Sequence, residues 1–203
     1  VALITGASSG IGRELACIHA ERGGDLLVVA RSEDRLTQLK QQLESKHNVR
    51  VVVMAKDLTA SDSAEQLYVD VGRAGLQVDY LINNAGFGGR GKFHQRDWAK
   101  DLAMIQLNVI ALTELCRRFL PEMVARNSGR ILNVSSTASL LPGPLQAVYY
   151  ATKAYVTSLS NALAEELRDT QVTVTALLPG ATDTGFAETA DMEKTELFEK
   201  AAS

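Results

Sequence analysis

The stretch VALITGASSGIG, residues 1–12, joins an apolar run of strand length to a glycine-rich turn and the start of a helical pattern. Gly6, Gly10 and Gly12 let the backbone turn sharply and approach a diphosphate without a Cβ in the way. A helix that begins there offers its N–H groups and positive dipole end to an anion. The spacing GxxxGxG differs from the fingerprint GxGxxG, and a glycine turn alone can be purely structural. Its place after the first strand favours a dinucleotide site.

Five further apolar runs of strand length follow this one. They are LLVVA at 26–30, VRVVVMA at 49–55, VDYLI at 78–82, RILNV at 130–134 and VTVTALL at 172–178. Helical patterns lie between them, clearest where Leu36, Leu39 and Leu43 recur at i, i+3 and i+7. Apolar strands alternating with helices predict an α/β fold, a doubly wound parallel sheet in a Rossmann-like three-layer α/β/α arrangement.

The composition indicates one soluble globular domain. The chain has 203 residues, 46% of them hydrophobic and 22% charged, and no apolar run approaches the length of a membrane span. The net charge is −3, whereas a nucleic-acid binder usually carries an excess of basic residues. His19, His47 and His94 show no ligand spacing, so we expect no metal site. Cys17 and Cys116 fall inside helical patterns, which favours core thiols in a reducing compartment.

The loops after the second and third strands carry the residues that would meet the adenosine half of a dinucleotide. Arg31 ends the second strand, where an arginine accepts a 2′-phosphate and a carboxylate grips a 2′-hydroxyl. The carboxylates that follow, Glu33 and Asp34, start a helix and have an ordinary capping role. Arg31 therefore favours NADP over NAD, with a plain surface role as the alternative. Asp57 is placed to accept from the adenine amino group, although it could equally cap a helix.

The stretch VYYATKAYV, residues 148–156, contains a tyrosine and a lysine at helical spacing. Residues four apart share one helix face, so Tyr149 lies over Lys153, while Tyr150 and Tyr155 point elsewhere. The pair alone proves little, because a chain of this composition contains one by chance in roughly one case in five. Tyr155 is expected on a core or subunit-contact face.

Several motifs occur together in order: TGASSGIG, NNAG at 83–86, Ser136, YATK ending at Lys153, and LPG at 178–180. With them, essentially the whole chain resembles the classical short-chain dehydrogenase/reductase family. The resemblance implies that Tyr149 is the catalytic acid/base and that Lys153 holds the nicotinamide ribose and favours the phenolate. Ser136 matches the family serine, with Ser135 as the alternative, and Asn108 matches the asparagine that completes the tetrad through a water-linked proton path.

The resemblance also implies a set of residues around the cofactor, which we expect to be NADP(H) rather than NAD(H). Asn83 is placed among them by similarity, and Pro179 to Thr182 resemble the nicotinamide carboxamide site. The full set is Gly6, Ser8, Ser9, Gly10, Ile11, Gly12, Arg31, Asp57, Leu58, Asn84, Ala85, Gly86, Tyr149, Lys153, Pro179, Gly180, Thr182 and Thr184.

Coulomb's law indicates how the Lys153 charge could serve Tyr149. Bringing a tyrosine pKa from about 10 to about 7 requires roughly 4 kcal/mol. One charge about 4 Å away at an effective dielectric of about 20 supplies about that much. We therefore expect the pKa of Tyr149 to be lowered toward neutrality, which suits a group that gives and takes a proton.

The expected function is reversible NADP(H)-dependent reduction of a ketone or aldehyde to an alcohol, with hydride from nicotinamide and a proton from Tyr149. The alternatives are a catalytically silent dinucleotide sensor, and an epimerase or dehydratase on the same fold. Apolar and small residues at 140–148 and 186–192 suit an apolar carbonyl substrate. Neither a nucleic-acid nor a membrane partner is expected.

Family resemblance further implies a homodimer or homotetramer, paired through helices near Leu102 to Arg126 and Tyr149 to Arg168. A cytoplasmic location is expected, in line with the reducing compartment that the two cysteines favour. The family usually has a seventh strand, whereas six are evident here and the chain starts without methionine. We therefore expect missing residues at both ends of one domain spanning residues 1–203, with residues 185–203 beginning a substrate-covering segment.

Overall fold

Six parallel strands form one sheet in the computed structural model, which describes residues 1–180. The spatial order is β3-β2-β1-β4-β5-β6. The strands are β1 (Ala2–Thr5), β2 (Leu26–Ala30), β3 (Val51–Ala55), β4 (Tyr80–Asn83), β5 (Gly129–Val134) and β6 (Val172–Leu177). Each coincides with one of the six predicted runs, and the predicted doubly wound architecture is confirmed.

Within residues 1–180, six α-helices connect the strands. They are α1 (Gly10–Glu21), α2 (Glu33–Lys46), α3 (Ser63–Arg73), α4 (Trp98–Ile105), α5 (Leu112–Ala125) and α6 (Ala147–Glu166). A π-helical turn, Gln106–Ala111, joins α4 to α5 without a break, and short 3₁₀ turns occur at Phe93–Gln95 and Thr137–Leu140. In the part of the chain that the structure describes, no helix combines the length and apolarity that a bilayer crossing requires.

The alternation of side chains along each strand divides the core between the two faces of the sheet. On one face, Ala2, Ile4 and Val28 pack with apolar residues of α1 and α2. On the other, Leu3, Leu27 and Leu81 pack with residues of α3, α5 and α6. Burial on both faces explains why the central strands β1 and β2 are continuous apolar runs. The chain order reverses between β1 and β4, which opens a crevice at their carboxyl ends.

A buried polar network ties β4 and β5 to the helices behind that crevice. Asn83 and Asn133 are register partners, and Asn83 Nδ2 donates to Asn133 Oδ1 at 2.9 Å and to Cys116 Sγ at 3.3 Å. Asn133 Nδ2 donates to Ser160 Oγ on α6 at 3.0 Å. All four residues are at most 3% exposed. Burial raises the pKa of Cys116 to about 11, as expected of a core thiol, whereas Cys17 is only half-buried.

Replacing Asn133 with leucine tests this network. The variant keeps the branched side-chain skeleton but removes the partners of two buried polar groups, so we expect the free energy of unfolding to fall by about 2 kcal/mol. Urea titration followed by circular dichroism measures the change. The same substitution at Asn161, which is exposed on α6, is the matched control and should change stability little. Equal effects at the two positions would contradict the assigned role of the network.

Candidate active site

The glycine turn after β1 is shaped by close packing against the loop that follows β4. Gly6 has φ +67° and Gly10 has φ +52°, both in the left-handed region. A Cβ on Gly12 would lie 2.4 Å from Gly6 O and from Asn84 Nδ2, so only glycine fits. Ser9 precedes α1 without a side-chain capping hydrogen bond. The first amides of α1 are therefore open to an anion, which fits a dinucleotide diphosphate.

Thr5 and Asn84 link the glycine turn after β1 to the loop that follows β4. Thr5 Oγ1 accepts from the backbone N–H of both Asn84 and Ala85 at 3.0 Å. Asn84 Nδ2 donates back to the carbonyls of Thr5 at 3.0 Å and Gly6 at 3.2 Å. The sequence reasoning missed Thr5, although its place at the carboxyl end of β1 could have indicated it. Asn83, by contrast, turns its side chain into the buried network described above.

The predicted adenosine contacts lie at the carboxyl ends of β2 and β3. Arg31 directly follows β2 and is exposed. Asp57 is exposed too, and its Oδ1 accepts from the N–H and hydroxyl of Thr59 at 3.0 and 2.8 Å. That contact is a local turn-stabilising bond and not the helix cap considered as the alternative, because α3 begins at Ser63 with Asp62 as its N-cap residue. Leu58 is buried beside them.

The two candidate serines after β5 face different partners. Ser135 Oγ donates to the Lys153 carbonyl at 3.0 Å and lies 2.7 Å from Thr157 Oγ1, so both of its hydrogen-bond partners lie on α6. Ser136 Oγ accepts from Ala138 N at 3.1 Å and hydrogen-bonds with Tyr149. The structure therefore places Ser136, not Ser135, beside the tyrosine.

Tyr149 and Lys153 lie side by side on the first turns of α6, both buried, at 8% and 5% exposure. Lys153 Nζ lies 5.9 Å from the centre of the Tyr149 ring and donates to Val134 O at 2.8 Å. A Cβ on Gly86 would lie 3.6 Å from the same Nζ, which brings NNAG to the pair. Residues at the ends of β4 and β5 and at the start of α6 thus lie close together in the crevice.

The pKa of Tyr149 moves opposite to the prediction. Burial raises the pKa of Tyr149, and the hydrogen bond with Ser136 only partly opposes that effect. Burial also lowers the pKa of Lys153 to about 8. The expected lowering of the Tyr149 pKa is wrong, because the low-dielectric crevice penalises the charged forms of both groups. At neutral pH, therefore, the phenol is protonated and the lysine is still charged.

Asn108 lies in the π-helical turn, an irregularity often found at functional sites. Its Nδ2 donates to Phe87 O at 2.9 Å and to Thr152 Oγ1 at 3.1 Å, while its Oδ1 accepts from Phe87 N at 3.2 Å. Thr152 Oγ1 in turn donates to Tyr149 O at 2.7 Å. The Asn108 side chain thus joins the loop after NNAG to α6. The role of Thr152 was not predicted.

The end of β6 and the segment after it lie against the residues that follow β5. Thr137 N donates to Pro179 O at 3.0 Å, and Ser135 N donates to Leu177 O at 2.8 Å. Gly180 follows at the surface. The predicted contacts Thr182 and Thr184, and the proposed covering segment from residue 185, lie outside the described residues. Within residues 1–180, no group of three or more His, Cys, Asp or Glu is arranged to hold a metal ion.

A model of the short chain dehydrogenase family matches residues 1–195. The chain belongs to this family. A relative in Mus musculus, a very-long-chain 3-oxoacyl-CoA reductase, is 32% identical over 99% of this chain. The chain spans 66% of the length of that relative.

Solved structures of short-chain dehydrogenases share the architecture. One from Sphingobium yanoikuyae in complex with NADPH superposes with a TM-score of 0.90 at 35% identity, covering 99% of this chain and 80% of the other. The bulky-bulky ketone specific alcohol dehydrogenase from Comamonas testosteroni has a TM-score of 0.85 at 36% identity, covering 90% and 72%. These relatives are oxidoreductases, and one of them binds NADPH.

Proposed function

We propose that the chain is an NADP(H)-dependent oxidoreductase that reversibly reduces a ketone or aldehyde to an alcohol. The observation that carries the proposal is the hydrogen bond between Ser136 and Tyr149, with the Lys153 ammonium beside it. These three groups converge in the crevice where the glycine turn and NNAG meet. A structural pair on a helix surface would not need burial of both tyrosine and lysine.

The chemistry divides between cofactor and protein. A bound NADPH would supply the hydride, held by the Gly6 to Gly12 turn, the Asn84 to Gly86 loop and Lys153. Tyr149, protonated at neutral pH, gives its hydroxyl proton to the carbonyl oxygen, so that hydride and proton together yield the alcohol. Ser136 donates a hydrogen bond to the same oxygen and stabilises the negative charge that develops there.

The raised pKa of Tyr149 favours the reductive direction at neutral pH. Reduction needs the phenol as proton donor, and this form is retained as the pH rises through the neutral range. Alcohol oxidation needs the phenolate and is therefore favoured at alkaline pH.

The preference for NADP(H) rests on Arg31, and exchange of this charge tests it. Arg31→Asp removes a cation suited to a 2′-phosphate and adds a carboxylate suited to a 2′-hydroxyl. We expect the ratio of kcat/KM with NADPH to that with NADH to fall about 10- to 100-fold, the value of one charged hydrogen bond. Steady-state assays with each cofactor measure this ratio.

Arg35→Asp is the matched control, because Arg35 is an exposed arginine on the first turns of α2. It changes net charge equally and should leave the cofactor ratio unchanged. An unchanged ratio in Arg31→Asp would remove the basis for choosing NADP(H).

An apolar carbonyl substrate is supported by the stretch between Ser136 and Tyr149. Leu140, Leu141 and Leu145 are 65%, 69% and 41% exposed within six residues. Exposed leucines next to a catalytic group suit contact with the apolar part of a substrate. A panel of ketones and aldehydes, assayed for oxidation of NADPH and of NADH, tests the function and the substrate class together. Product formation without net change in cofactor absorbance would instead indicate epimerisation or dehydration.

Self-association through α4, α5 and α6 remains part of the proposal. Leu102, Ile110 and Tyr155 are 48%, 45% and 40% exposed on the helices predicted to pair. Tyr155 therefore does not belong to the core of the single chain. Its hydroxyl lies 3.1 Å from Thr113 Oγ1, which links α6 to α5 at this surface.

A further inference from the structure

A buried ion pair lies at the start of α4, outside the catalytic groups. Arg96 Nη2 and Nε lie 2.6 and 2.8 Å from Asp101 Oδ1, and the two side chains are 12% and 5% exposed. Such a pair offers little net stability compared with apolar residues of similar size, because both charges must be desolvated. The contacts that the pair makes therefore indicate its role better than its contribution to stability does.

The loop after NNAG is wrapped around the Arg96 side chain. Arg96 Nη1 donates to the carbonyl of Arg90 at 2.8 Å. A Cβ on Gly89 would lie 2.2 Å from Arg96 Nη2, and one on Gly91 would lie 3.2 Å from Cγ. Gly91 also has φ +150°, which L side chains rarely adopt. The backbone of residues 89–91 is thus set by the guanidinium, and the guanidinium is set by Asp101.

The same loop contacts Leu145, a residue with a strained backbone just before α6. Gly91 N donates to Leu145 O at 2.8 Å. Leu145 has φ +65°, in the left-handed region that a branched apolar residue avoids. It lies two residues before α6 begins and four before Tyr149. A strained backbone persists only where its surroundings fix it, and the Gly91 N–H is one such restraint.

We propose that Arg96 and Asp101 are positioning residues for carbonyl reduction. They act through the Gly89 to Gly91 loop on Leu145, and through Leu145 on the entry to α6 that carries Tyr149. The pair touches no reacting atom. This inference rests on the proposed function, since it concerns how the same site presents its proton donor and the exposed leucines at 140, 141 and 145 to the carbonyl.

The test is a double variant, Arg96→Met with Asp101→Leu. Removing both charges leaves neither one buried and unpaired, so folding should be retained, while the contacts with Arg90 O and the glycine loop are lost. We expect kcat/KM for the carbonyl substrate to fall about tenfold, because small misplacements of catalytic groups are costly. NADPH affinity should stay at the wild-type value, measured by energy transfer from Trp98, the single tryptophan. Hydrogen exchange of the Gly91 amide should accelerate.

The control is Arg168→Met with Glu165→Leu, which removes an exposed pair of 2.8 Å separation at the end of α6. It should leave both kcat/KM and the exchange rate of Gly91 unchanged. If the double variant at 96 and 101 does not fold, Arg96→Gln with Asp101→Asn serves instead, because it also removes both charges but keeps polar side chains, with the same direction of change expected. Arg96→Lys should lower kcat/KM nearly as much as the double variant does, because an ammonium cannot reproduce the paired hydrogen bonds of the guanidinium.

The outcomes separate this inference from the proposed function. Wild-type kcat/KM and wild-type Gly91 exchange in the double variant would overturn the positioning role, with carbonyl reduction itself intact. A wild-type protein inactive on the whole carbonyl panel would overturn the proposed function. In that case an unchanged Gly91 exchange rate would still refute the restraint, and an accelerated rate would support it.

Discussion

Replacement of Tyr149 by phenylalanine is expected to lower kcat for carbonyl reduction by about 10²- to 10⁴-fold, the range for loss of a general acid. The ring stays, so the packing beside Lys153 and the cofactor loops is preserved, and NADPH affinity should not change. Only the hydroxyl that bonds with Ser136 and carries the proton is lost. Stopped-flow single turnovers with NADPH separate this chemical step from binding and product release.

Tyr150→Phe is the matched control for this experiment. Tyr150 is the next residue on α6, and its ring packs over Gly143, where a Cβ would approach within 2.3 Å. Removing its hydroxyl keeps that contact and should leave kcat near the wild-type value. A Tyr149→Phe enzyme that reduced the same carbonyl as fast as Tyr150→Phe would eliminate Tyr149 as the proton donor.

The sheet could be predicted from the sequence because its signal is local. The central strands β1 and β2 are short apolar runs made continuous by burial on both faces, whereas β6 alternates buried valine with exposed threonine. The candidate site could be predicted for a similar reason, since Tyr149 and Lys153 are spaced by one helical turn and Ser136 follows a strand. Local spacing therefore predicts which residues lie next to each other.

Local spacing does not supply how deeply those residues are buried. The direction of the Tyr149 pKa was mispredicted because the Lys153 charge is visible in the sequence, whereas desolvation by the elements packed around the pair is not. Depth of burial arises from residues distant in sequence, as does the Arg96–Asp101 restraint, which reaches Leu145 through the glycine loop. Arg96 and Asp101 look like ordinary surface charges when read along the chain.

Lys153→Met is expected to lower the activity and to stabilise the fold. The ammonium lies beside the Tyr149 ring, and its loss should lower kcat by about 10²- to 10³-fold, as for other buried electrostatic groups. Burial lowers the pKa of Lys153 from 10.5 to about 8, a difference that corresponds to about 3 kcal/mol of destabilisation at neutral pH. Methionine removes that cost but loses the hydrogen bond to Val134 O, worth about 1 kcal/mol. The net gain is about 2 kcal/mol.

The pH dependence gives this prediction its sign. Between pH 8 and 10.5 the unfolded chain binds the lysine proton and the native chain does not, so wild-type stability rises with pH through that window. The advantage of Lys153→Met should therefore be full at about pH 7 and shrink toward about pH 10. Urea titrations at both pH values measure it, with Lys40→Met, at a partly exposed position on α2, as a control that should show neither effect. A Lys153→Met protein less stable than wild type near neutral pH would mean that the buried ammonium stabilises the fold, and that its catalytic charge is held at no cost to folding.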